Sequence, residues 1–158
     1  MIEDTAKYAG SDLLCYRATA PVEPGQGAST RPGSRCSDWA AERYGARLVV
    51  AEGTTFVAQP PEAVARCARP WPRTAIWRSS ALYNLTHISG SLVIALAVAE
   101  GHLPADKAFA AAQLDELYQI ERWGDDPTCD LSGTTSIRHD IEAGARFLAL
   151  LEDQRLKG

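Results

Sequence analysis

Eight consecutive residues at 92–99 (LVIALAVA) are apolar and uncharged. That run falls far short of the roughly 20 residues a membrane-crossing helix needs, so the rest of the chain has to cover it. It sits inside a longer pattern. Leu82, Leu85, Ser89, Leu92, Leu96 and Ala99 recur at spacings of three and four, which predicts one helix face over 80–100, with Gly101 as its stop. Ser89, Gly90 and Ser91 are small enough to let a neighbouring helix approach closely. The chain has 158 residues with a hydrophobic fraction of 46%, enough to build one core around such a segment and to exclude global disorder.

The flanking pattern is also mostly helical. Residues 2–9 read as the end of a helix stopped by Gly10, and 37–44 as a helix end closed by Gly45. Pro104 is expected at the first position of a helix that runs to about Trp123 and stops at Gly124. A last helix at about 136–152 carries Ile137, Ile141, Ala145, Leu148 and Leu151 or Glu152 on one stripe. Two segments, 12–18 (DLLCYRA) and 47–52 (RLVVAE), read as strands. The expected class is therefore α+β, mostly α: one domain over 1–158, a helical bundle with a small two-stranded β element.

Three stretches, 24–36, 66–78 and 127–135, lack either period and are rich in Pro, Gly, Arg, Ser, Cys or Trp. They read as loops or disorder, yet they are long for structureless connections within a domain. Local frame shifts in a GC-rich gene produce this composition; so does a divergent homologue with unusual loops.

Several functions are disfavoured by composition and spacing. A formal net charge of -4 argues against nonspecific nucleic-acid binding, and no basic cluster offers a membrane anchor. Residues 1–14 have no secretory pattern, so a cytoplasmic protein is expected. Cys15, Cys36, Cys67 and Cys129 form no CxxC pair, and His87, His102 and His139 have no metal-ligand spacing. No phosphate loop or Gly-x-Ser-x-Gly elbow occurs. No metal, cofactor or catalytic group is expected. Cys15 reads as a buried small hydrophobe.

The helix expected at 105–123 carries Phe109, Ala112, Gln113, Glu116, Ile120 and Trp123 on one stripe, with Leu114, Leu117 and Tyr118 opposite. A helix apolar on two sides is buried all round or lies between its own core and a partner. Glu116 falls in the middle of the first stripe, so its carboxylate must be paired inside or offered to another chain. The internal reading pairs it with Arg138 or Arg146, with Trp123 as a core plug.

Three ordered segments carry a resemblance. They are SDLLCYRA at 11–18 with DWAAERYGARLVVAEG at 38–53, HISGSLVIALAVAEG at 87–101, and QLDELYQIERWGDD at 113–126. Together with IEAGARFLALL at 141–151, they resemble the chaperone family that binds the α subunit of F-type ATP synthase while the catalytic head is assembled. The resemblance implies a protein without catalysis or cofactor, acting as a monomer, that holds the free α subunit until β replaces it. It implies a contact surface containing Glu116, Gln119, Glu121 and Trp123, with Gly124 and Asp126 in the turn that follows. It implies a β-rich N-terminal domain ahead of the helical one, which is expected to be missing here. It also implies a cytoplasmic location in a bacterium, or the mitochondrial matrix in a eukaryote. The alternatives are a small hydrolase using His87 or His139 with an Asp, and a helical interaction module with another partner.

Overall fold

The apolar run is a helix buried on every side, and the remaining helices are arranged around it. The computed structural model describes residues 2–17, 32–52, 57–69, 76–113 and 131–157. Among these, the chain forms α1 (Ile2–Gly10), α2 (Pro32–Tyr44), α3 (Pro61–Ala68), α4 (Ile76–Ser89), α5 (Leu92–Ala99), α6 (Ala105–Ala112) and α7 (Leu131–Lys157). Helix α5 packs against α1, α2, α4, α6 and α7, and α4 packs along α7. All residues from Leu92 to Val98 are buried. Each large aliphatic side chain so placed contributes about 1.5–3 kcal/mol, while an isolated helix of this length would be marginal in water. The stability of α5 therefore comes from its neighbours.

The single helix expected over 80–100 is two helices. Gly90 adopts φ +67°, and Ser91 is extended at φ -141°. Gly90 is thus a left-handed helix stop and Ser91 an N-cap. The Ser91 Oγ accepts the Ile94 N–H at 3.1 Å, and the Asp12 Oδ2 accepts the Val93 N–H at 3.2 Å. Asp12 Oδ1 accepts the Leu14 N–H at 3.1 Å, and the Leu13 N–H donates to the Gly90 carbonyl at 3.2 Å. One carboxylate therefore satisfies orphan donors in two separate segments.

The strand expectation is corrected. Residues Leu13–Cys15 form a 3-10 turn capped by Asp12, because that side chain folds back onto Leu14. What remains is a parallel pair of two residues on each side, Tyr16 opposite Ala51 and Arg17 opposite Glu52. The 47–52 segment is not a longer strand because a side chain stands where a neighbouring strand would be. The Gln59 amide accepts the Val49 N–H at 2.7 Å and donates to the Val49 carbonyl at 2.8 Å. The described architecture is mostly helical, and this short pairing does not amount to a β layer.

The loop expectation is corrected wherever the three unusual stretches are described. Residues 32–36 lie in α2, 66–68 in α3, 76–78 in α4, and 131–135 in α7. Cys36 and Cys67 are core residues, 1% and 0% exposed. Arg78 joins three helices: it donates to the Ala99 carbonyl at 3.2 Å and pairs with Glu152 at 3.4 Å. Helix α7 extends beyond the expected 136–152 at both ends, and α3 was not anticipated. The long helix expected over 105–123 ends at Ala112, where Gln113 leaves helical angles at φ -108°, ψ 21°. Pro104 is the N-cap of α6, one position earlier than expected.

The close approach of α4 and α7 depends on Gly144. A Cβ there would lie 2.9 Å from Leu85 Cδ2 and 3.1 Å from Leu85 Cγ, and Leu85 is itself buried. Gly144→Val is expected to lower stability by about 1–3 kcal/mol in urea denaturation, and Leu85→Ala in the same chain should make the combined loss less than additive.

Asp12 gives a pH signature. Burial pushes its carboxyl up from the ordinary 3.8 to about 6, against hydrogen bonds from Ser91, Val93, Leu14 and Leu92. The folded chain then holds this proton more tightly than the unfolded chain. Its contribution is fully present below about pH 4 and is lost as pH rises through about 6, a change on the order of 3 kcal/mol. Denaturation of wild type and Asp12→Asn from pH 4 to pH 7 should show this fall in the wild type alone.

Candidate functional site

The six residues expected to contact a partner, Glu116, Gln119, Glu121, Trp123, Gly124 and Asp126, lie outside the described residues. Residues grouped with them in the sequence are described. Phe109 and Ala112, from the same expected stripe, are buried in the core. Arg138, one internal partner considered for Glu116, has its guanidinium 4.3 Å from the centroid of the Phe109 ring, a favourable cation–π placement.

Two recognised segments meet at a polar cluster where α2 ends and α5 gives way to α6. Glu100 accepts from Arg43 Nε at 2.9 Å and from the Tyr44 hydroxyl. Trp39 meets the Tyr44 ring edge-on at 5.4 Å and stacks on His102 at 4.9 Å. Burial pushes the Glu100 carboxyl up, but hydrogen bonds from Tyr44 and Arg43 and the Arg43 charge outweigh it, leaving the group below the ordinary carboxylate value. The phenol of Tyr44 is pushed up by burial and by the same carboxylate. Nearby, Gly45 has φ +67°, and its carbonyl accepts from Arg66 Nη1 at 2.9 Å. The segments ending in Gly45 and Gly101 are thus fastened together by side chains that the sequence places 56 and 57 residues apart.

Among the described residues, the histidines considered for a hydrolase make these contacts. The Tyr8 hydroxyl and His87 Nδ1 are hydrogen-bonded at 2.8 Å, and the Tyr83 ring stacks on His87 at 6.1 Å. Ser89 is engaged elsewhere, its hydroxyl donating to the Leu85 carbonyl at 2.6 Å. His139 is solvent-exposed beside Asp140, 3.9 Å away. The described cysteines are free and buried. Burial, with the Asp12 charge adding to it, pushes Cys15 and Cys67 up to about 12 and Cys36 to about 11. These thiols are held in the unreactive protonated form. Among the described residues, no group of three His, Cys, Asp or Glu could hold a metal ion, and no helix is long and apolar enough to cross a membrane.

What sequence reasoning missed is apolar side chains on the outside. Ile76 and Trp77, at the start of α4, are 72% and 67% exposed. Phe147 and Leu150 are exposed on α7, and Leu156 near its end is 77% exposed. The signal was available: at 100° per residue, Ala143, Phe147 and Leu150 fall opposite the buried pair Ile141 and Leu148.

The described residues form a helical domain with buried thiols inside and several large apolar side chains outside, and its similarities lie with chaperones. No family model matches the chain. Two structures of Atp12 from Paracoccus denitrificans, one of them an Asp-to-Lys variant, are each 31% identical, with TM-scores of 0.81 and 0.84 for the variant. Both matches cover 94% of this chain and 63% of theirs. A chaperone candidate from Agrobacterium tumefaciens, Atu1473, is 32% identical at a TM-score of 0.74, over 93% of this chain and 54% of that one. The chain is thus similar to Atp12 in sequence and fold over 94% of its own length, and it spans less than two thirds of the length of the relatives it matches.

The Glu100 cluster has a measurable weight. In a double-mutant cycle, Tyr44→Phe and Glu100→Gln should each cost about 1 kcal/mol, with a coupling energy of similar size. The exposed Arg43–Glu100 pair should contribute less.

Proposed function

We propose that this chain is an assembly chaperone of F-type ATP synthase that binds the unassembled α subunit until α pairs with β. The observation that carries the reading is the likeness to Atp12 over 94% of this chain, in sequence as well as fold. The exposed apolar side chains of α4 and α7 support it. A lone subunit presents apolar area that is covered in the finished complex, and a chaperone must offer matching area together with a few polar groups that fix the register.

In this reading Glu116, Gln119, Glu121, Trp123, Gly124 and Asp126 form the polar and aromatic part of the contact surface. Glu116 is the acid that sets the docking pose. The protein acts as a monomer, without catalysis or cofactor, in the cytoplasm of a bacterium or in the mitochondrial matrix.

Capture of purified α subunit by the immobilised chain tests the proposal. Wild type should retain α, and excess β should release it. Glu116→Lys should weaken capture about tenfold or more, a change of about 1.4 kcal/mol, with unchanged circular dichroism. Capture that is undiminished in the variant would remove Glu116 from the surface. No capture of α by the wild type would overturn the function.

A further inference from the structure

We draw no further inference here: the strongest candidate, the outward-facing apolar stripe of Ala143, Phe147 and Leu150 on the last helix, already supports the proposed function, and nothing in the structure shows what covers it.

Discussion

The N-terminus of a fully buried helix is the constraint on which the fold depends. Helix α5 begins inside protein rather than in water, so its first N–H groups need partners from the chain itself. Ser91 supplies one from the adjoining turn, and Asp12 supplies another from some 80 residues earlier. Because Asp12 also holds the turn at Leu14, the segment after α1 cannot shift without exposing donors at the head of α5. A buried carboxylate is costly unless hydrogen-bonded, and here several donors converge on it. The cost and the remedy together fix one register between the start of the chain and its centre.

Much of this was legible in the sequence. The apolar run, the helix stops at Gly45 and Gly101, and the inward stripe of Ile141 and Leu148 follow from periodicity and from the freedom of glycine to adopt positive φ. The break at Gly90 was misread, although a glycine followed by a serine is the ordinary sign of one helix ending and another starting. The continuous three-four spacing across it hid the turn. The strands at 12–18 and 47–52 were overextended because Val-rich composition cannot reveal that Asp12 and Gln59 take over backbone hydrogen bonds. Composition also misjudged Cys36, Cys67 and Arg78. Two of these are core and the third is a tie between helices, roles that depend on tertiary neighbours rather than on local pattern.

The candidate site at 116–126 lies outside the described residues. The residues assigned to it came from a resemblance carried by ordered motifs, and the structure explains why two of those motifs belong together. Residues 11–18 and 87–101 meet at Asp12 and the head of α5, and residues 38–53 meet the end of α5 at Glu100. The motifs therefore describe the frame that holds α5 at both ends. The outer apolar stripe of α7 was missed because its spacing resembles that of the inner one, and only packing tells the two apart.

Hydrogen exchange of the chain, alone and with purified ATP synthase α subunit, tests the central claim most directly. Exchange should slow within 114–130 and along the exposed face of α7 when α is present, with α5 protected equally in both samples. Exchange that is identical with and without α at every site would contradict it.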